Sequence, residues 1–420
     1  MGMQNERFTI IRIVLYAAVV YNVAVWVDLV SMLNYWGFHN TSTPIQLGVL
    51  VMSFSGSMAL ASVLGNGLHH KYYELVMIIA AMTSGIIMVF QLLNQSFTIA
   101  ILLIILKGGL IGLFINGQTG IWKQMGDPIQ YAAVDSQFER LAAIIKFAGP
   151  LAAGVCVMIW PPQAALWLAA AVYTAAAAPV VYLLIRYGSA RHLQVPQVKE
   201  DDGKQLDVEQ PAAAPADWDA RIYLILGLII LASMSFFVTV GDSQLVVLFR
   251  DIFAWNDASM VAFVMAAAGL GTLLVRTGLE SPDTKTPFKA LTFSSLGLSA
   301  VFLIVTWCMH LQVNVLWFLV LFFAGGVCWQ IGFSLYLNKL MRNEPAGKMT
   351  IIFGAVMAVT YILGPLFGGY GVAWIGVVNT YYISGLCMLS FGLICSVVYL
   401  LIHFKRTKGQ SASHSLSSEN

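Results

Sequence analysis

The hexapeptide GPLAAG at residues 149–154 returns as GPLFGG at residues 364–369, an offset of 215 in a chain of 420 residues. Two further pairs keep nearly the same spacing. Gly108-Gly109, in ILLIILKGGLIGLF (residues 101–114), is matched by Gly325-Gly326 at an offset of 217. Asp28, in VAVWVDLVSML (residues 23–33), is matched by Asp242, in FVTVGDSQLVV (residues 237–247), at an offset of 214. Three matches at a near-constant spacing of half the chain point to a duplicated unit.

The unit is a membrane unit. The chain is 59% apolar and only 10% charged, against roughly 25% charged in soluble domains. Apolar runs of about 20 residues, the length that spans the hydrocarbon core, can be cut out twelve times. The expected spans are 9–33, 44–67, 74–93, 97–121, 138–160, 164–186, 221–248, 258–277, 289–310, 313–337, 350–371 and 379–403. Six spans per half is an even number, so both halves enter the membrane from the same side. That makes a parallel repeat about an axis normal to the bilayer. The fold class expected is an all-α membrane protein, two six-helix bundles in parallel pseudo-twofold repeat.

Orientation follows from the cations, which are retained on the cytoplasmic side. With the N-terminus inside, every one of the 22 Lys and Arg residues except Arg250, Lys107 and Lys146 falls on inner tails, loops or helix ends. Lys107 and Lys146 lie within spans, and Arg250 alone is left outside. Both termini are therefore expected in the cytoplasm, and the net charge of +2 reports topology, with no nucleic-acid partner implied. The first span continues without a small-residue cleavage site, so it reads as retained. The stretch YGSARHLQVPQVKEDDGKQLDVEQPAAAPADWDAR is polar, Pro- and Ala-rich, and reads as a mobile cytoplasmic linker. The division expected is a first bundle over 1–186, a linker over 187–220, a second bundle over 221–404, and a disordered Ser-rich cytoplasmic tail over 405–420. All five cysteines fall in spans without metal-ligand spacing and read as small core residues.

Twelve spans, a 6+6 split and a central cytoplasmic loop resemble the major facilitator superfamily, over essentially the whole chain. In that family the loop after the second helix usually reads G-x-x-x-D-R-x-G-R-R. GNGLHHKYYE from Gly65 keeps glycines and Lys71 but lacks the Asp and the Arg pair, and RTGLESPDTK from Arg276 is a better-charged counterpart in the second half. The fifth-helix GPxxGG element is associated in the family with proton-exchanging exporters, and GPLAAG departs from it by one Gly to Ala. Physically, small residues let helices approach closely and Pro loosens the backbone where a bundle must bend. Gly149, Pro150 and Gly154, with Gly364 and Pro365, are the gating or structural candidates on that account. DSQFERLAAIIKFAGPLAAG looks similar to the branch of siderophore and macrolide exporters. The resemblance implies alternating access, a small-molecule substrate, protons as coupling partner, monomeric action and the bacterial inner membrane.

Ionisable residues inside a membrane are costly and mark function. Lys107 lies about ten residues into the fourth span, near the midplane, and is expected to face a cavity and hold a carboxylate or an anionic substrate. The family often places an Arg followed by glycines here, and Lys107-Gly108-Gly109 looks like a Lys variant. Asp28, with Lys107 as a cavity partner, is the proton-coupling candidate, because a carboxylate whose exposure changes can load and release a proton. Asp242, flanked by Gly241, Ser243 and Gln244, reads equally as a cavity residue or a polar helix end. Glu139 and Arg140 fall near the cytoplasmic mouth, where a gate and a solvated helix end are both open. Lys146 is deeper, and two cavity lysines against few deep acids favour substrates carrying carboxylates. Asn22, Trp26, Asn116, Gln118, Trp329, Gln330 and Asn338 could bind a polar organic molecule by hydrogen bonding and stacking.

No Walker motif, nucleophile motif or metal-ligand cluster is present, so ATP-driven transport, enzyme activity and a cofactor are not expected. The leading expectation is a secondary transporter that exports a small organic molecule, a siderophore ahead of a drug or macrolide, by proton antiport. Uptake of an anionic metabolite is the transport alternative. A non-transporting scaffold or sensor is the alternative of another class, and it has no need to bury Lys107 and Asp28.

Overall fold

The computed structural model describes residues 2–65, 72–125, 128–187, 218–278, 287–343 and 346–417. Among them twelve helices are long and apolar enough to cross a membrane. In chain order the helices are α1 Gly2–Leu33, α2 Pro44–Leu64, α3 Tyr73–Leu93, α4 Phe97–Met125, α5 Pro128–Ile159 and α6 Pro162–Tyr187. The second half follows as α7 Trp218–Asp242, α8 Ser259–Gly278, α9 Pro287–His310, α10 Leu316–Asn343, α11 Ala346–Ile375 and α12 Val377–Ser417. The protein is a multi-pass membrane protein, and all twelve expected spans fall on these helices.

Local chemistry sets the ends. Thr43 caps α2 through a capping box with Gln46, and Pro44 sits at the first helical position, where its missing N–H costs nothing. α11 turns into α12 through Gly376, whose φ of +82° a side chain would strain. Along α4, Ala100, Ile104, Lys107 and Ile111 are buried while Ile99, Leu102 and Leu106 are exposed. That is one helical stripe facing protein and another facing lipid. Lys107 belongs to the protein-facing stripe.

The packing repeats. In the first half α1 packs on α5 and α6, α2 on α4, and α3 on α4 and α6. In the second half α7 packs on α11 and α12, α8 on α10, and α9 on α10 and α12. Each pair of the second set is a pair of the first advanced by six helices. The two most extensive contacts between the halves are α2 on α11 and α5 on α8, and the same advance converts one into the other. The architecture is therefore a parallel pseudo-twofold pair of six-helix bundles.

The small-residue motifs sit where this packing is closest. A side chain at Gly149 would collide with the indole of Trp26, and one at Gly154 would come 2.9 Å from Phe263 Cε1 on α8. Across the halves, Gly48 of α2 faces the backbone carbonyl of Pro365 on α11, and a β-carbon there would lie 2.5 Å from it.

One expectation is refined and another needs correction. The seventh span, expected over 221–248, runs as one candidate span to Ile252, with a break inside it: α7 stops at Asp242, a turn at Ser243 and Gln244 follows, and helix resumes at Leu245–Val247 before a π-helical segment, Leu248–Ile252. The break follows the local bonds: Ser243 Oγ donates to the Val240 carbonyl at 2.9 Å, and Tyr381 Oη donates to the Gly241 carbonyl at 2.8 Å. At the other end of the chain, α12 runs on as helix to Ser417. The tail carries no proline and a single glycine, Gly409, so nothing stops propagation. Most of the linker, residues 188–217, lies outside the described residues, as do residues 66–71 of GNGLHHKYYE and 279–285 of RTGLESPDTK.

Candidate functional site

Inside the first bundle Lys107 and Asp28 form an ion pair, Nζ to Oδ1 at 2.7 Å, with both side chains 0% exposed. The pair is fully coordinated. Lys107 Nζ also donates to Gln91 Oε1 at 2.7 Å and contacts Met88 Sδ at 3.0 Å. Tyr173 Oη of α6 donates to the second carboxylate oxygen of Asp28 at 3.0 Å. Around it Tyr21 stacks on Phe114, with centroids 3.8 Å apart, and meets Tyr173 edge-on. Four helices, α1, α3, α4 and α6, thus converge on one buried charge cluster.

A separate cavity of about 360 Å³ lies between the two halves. From the first half it takes Trp26, Leu29 and Leu33 of α1, Val51 and Ser55 of α2, and Lys146 of α5. The second half contributes more of the wall, including Asp242, Phe302, Phe322, Trp329, Tyr361 and Tyr381. Lys146 and Asp242 are both exposed into this space. Neither takes part in any ion pair or side-chain hydrogen bond among the described residues. The cavity is thus an aromatic chamber with one ammonium on the first half and one carboxylate on the second.

Helical geometry explains this allocation. Ser235, Val238, Thr239 and Asp242 line the cavity at spacing i, i+3, i+4, i+7, which is one face of α7. The polar members of that stripe were a legible signal for Asp242. On α1 the cavity face is Trp26, Leu29 and Leu33, and Asp28 stands two residues from Trp26, about 200° round the helix. Trp26 and Asp28 could not both face the cavity.

The expected site residues therefore separate. Trp26, Lys146, Asp242 and Trp329 line the cavity. Lys107 was placed in the cavity by the sequence, but α4 contributes no residue to it, and Lys107 is turned into the bundle by its bond to Asp28. Asn22 is off the cavity and donates to the Ala18 carbonyl at 2.8 Å, and Asn116 donates to the Ala61 carbonyl at 3.0 Å. Gln330 is buried and bonds Ser334 at 2.5 Å. Gln118 is buried among the helices of the first bundle. Arg140 is exposed at the start of its span. The side chains of Glu139 and Asn338 lie outside the described residues. Sequence reading missed Gln91, Tyr173, Tyr361 and Tyr381, each an uncharged residue with nothing in its local pattern to separate it from ordinary core.

The repeat also shows where the halves diverged. Tyr173 on α6 meets Asp28, and Tyr381 on α12 lies beside Asp242, the same helix advanced by six. Lys107-Gly108-Gly109, however, corresponds to Ala324-Gly325-Gly326. The second half lacks the lysine, and among the described residues its aspartate makes no ion pair and lies open to the cavity.

The halves are tied together at one end. Arg250 Nη1 donates to the carbonyls of Gly37 at 2.7 Å and Ser42 at 3.0 Å, and the Ala258 amide donates to Asn34 Oδ1 at 3.1 Å. All three bonds join the α1–α2 connection to the segment between α7 and α8.

Comparison with known proteins agrees with this architecture. No family model matches the chain. An uncharacterized MFS-type transporter, YfiS of Bacillus subtilis (strain 168), is 21% identical over 386 residues, 88% of each chain. Among solved structures, a peptide transporter POT superposes with a TM-score of 0.68 at 13% identity, covering 93% of this chain and 94% of that one. The human organic anion transporter MFSD10 gives 0.60 at 14% identity, over 93% and 99% of the two chains. A bacterial homologue of the iron transporter ferroportin, in an inward-facing state, gives 0.61 at 12%, over 94% and 98%. The chain has the major facilitator fold.

Proposed function

We propose that the protein is a secondary transporter that moves a small organic molecule across the bacterial inner membrane by alternating access, exporting it in exchange for protons. One observation carries this reading: a cavity at the junction of two pseudo-equivalent bundles, with Lys146 from one bundle and Asp242 from the other exposed into it. Charges left unpaired inside a membrane protein, in a space large enough for a ligand, are costly and have their use in binding or coupling. A scaffold or sensor has no need of them.

The arrangement supports a division of labour different from the one the sequence favoured. Asp242 is the acid that cavity water reaches, so it is the proton-exchanging group. The Asp28 and Lys107 pair, sealed at 0% exposure, anchors the first bundle. The cations retained on one side support cytoplasmic termini, which makes the Arg250 contacts an outer closure and the cavity open to the cytoplasm. Export is supported by the likeness of GPLAAG to the exporter motif. A cavity of about 360 Å³, at the compact end of ligand sites, favours a drug-sized molecule over a large siderophore. The transporter acts as a monomer within the lipid.

The test is accumulation of fluorescent organic probes of anionic, cationic and zwitterionic character in everted membrane vesicles holding the protein. At least one class accumulates on energisation and leaks back when a protonophore collapses the gradient. Equal behaviour of vesicles with and without the protein, for all classes, refutes the reading.

A further inference from the structure

We infer that the cavity is a site for a zwitterionic molecule with an aromatic body, its anionic group on Lys146 and its cationic group on Asp242. The inference rests on the reading of this cavity as the substrate site and names the chemistry of what it takes. Lys146 and Asp242 both reach the space and neither is neutralised by a neighbour among the described residues. While the cavity is open, water solvates both. When a ligand displaces that water, each charge must find a counter-charge or lose its solvation without return. A ligand of single charge satisfies one and strands the other. A zwitterion satisfies both, and because the two residues belong to different halves it draws the bundles together across the site.

The rest of the wall fits the same ligand. Phe302, Trp329, Tyr361 and Tyr381, which belong to the same half as Asp242, line the chamber, and aromatic faces attract a cationic group as well as an apolar ring. Tyr381 is fixed by its bond to the carbonyl of Gly241, the residue before Asp242, so its ring is held in place before a ligand arrives. The N-terminal bundle shows the contrast. There the equivalent aspartate is consumed by Lys107, and nothing is left for a ligand.

The experiment is calorimetric titration of the purified protein in lipid nanodiscs, with no gradient present, using three ligands on one aromatic core. These are the fluoroquinolone norfloxacin, a zwitterion; its N-acetylpiperazine derivative, an anion; and its ethyl ester, a cation. Norfloxacin binds at least about tenfold tighter than either derivative, the size expected when one charged partner is left unsatisfied. Lys146→Gln removes its advantage over the ester and keeps that over the anion, and Asp242→Asn does the reverse. Both variants keep the wild-type melting curve, because neither residue holds the fold together. The inference is overturned if either derivative matches norfloxacin, if no ligand binds to protein that melts normally, or if both variants lose all three ligands equally. The charge preference without any flux would remove the transport reading alone, and flux without a charge preference would remove this inference alone.

Discussion

Lys107 Nζ lies 2.7 Å from Asp28 Oδ1, 79 residues away in sequence, with neither side chain open to water or to the cavity. A buried pair of this kind is costly to break and cheap to replace. Lys107→Leu leaves the Asp28 carboxylate stranded and lowers stability by about 3–5 kcal/mol. The double variant Lys107→Leu/Asp28→Asn recovers most of that loss. Thermal unfolding in detergent measures both, and a double variant no more stable than the single would show that the pair is not the unit.

Tyr173 completes the same cluster through its bond to Asp28 Oδ2 at 3.0 Å. Tyr173→Phe removes one charge-assisted hydrogen bond and destabilises by about 1.5–3 kcal/mol. Ligand affinity at the central cavity stays at the wild-type value, because Tyr173 is not part of its wall.

Much of the fold was legible in the sequence. Runs of apolar residues gave the twelve spans, and the recurrence of GPLAAG and Gly-Gly gave the repeat that the packing pairs now display. The pairing of Asp28 with Lys107 was legible too, since each needed a partner in an apolar setting. What escaped was direction. Depth along a helix can be read by counting residues, but the face a residue presents depends on which neighbours cover it. Depth and the cost of a cation in lipid point Lys107 to the cavity, and α4 turns it the other way. Asp242 looked ambiguous until Ser235 and Thr239 placed it on a polar stripe. The end of α7 at Asp242 escaped as well, because the bond from Tyr381 that accompanies it comes from a helix 140 residues further on.

Arg250 links the second half to the carbonyls of Gly37 and Ser42. Arg250→Gln loses both charge-assisted bonds and favours opening of that end. In a background without native cysteines, Phe38→Cys is labelled by a membrane-impermeant maleimide at least about threefold faster with Arg250→Gln than with Arg250. Unchanged labelling would mean that other contacts hold the end closed.

Gly48 faces the Pro365 carbonyl at the junction of α2 and α11, where a β-carbon would lie 2.5 Å from that oxygen. Backbone cannot yield as a flexible side chain does. Gly48→Ala therefore separates the two helices and lowers transport by about tenfold, while Gly109→Ala, which meets nothing within 4 Å, leaves it unchanged. Comparison of the two rates in the vesicle assay checks this, and equal rates would remove the close contact from the moving interface.

The central claim is that a ligand in the cavity exchanges for a proton at Asp242. Purified protein in proteoliposomes with internal pyranine tests it directly, with norfloxacin added outside. Wild-type protein is predicted to admit the ligand and release protons, so that the lumen turns alkaline, and Asp242→Asn gives no such signal. Norfloxacin entry without a change of internal pH, or an unaltered signal from Asp242→Asn, would contradict it.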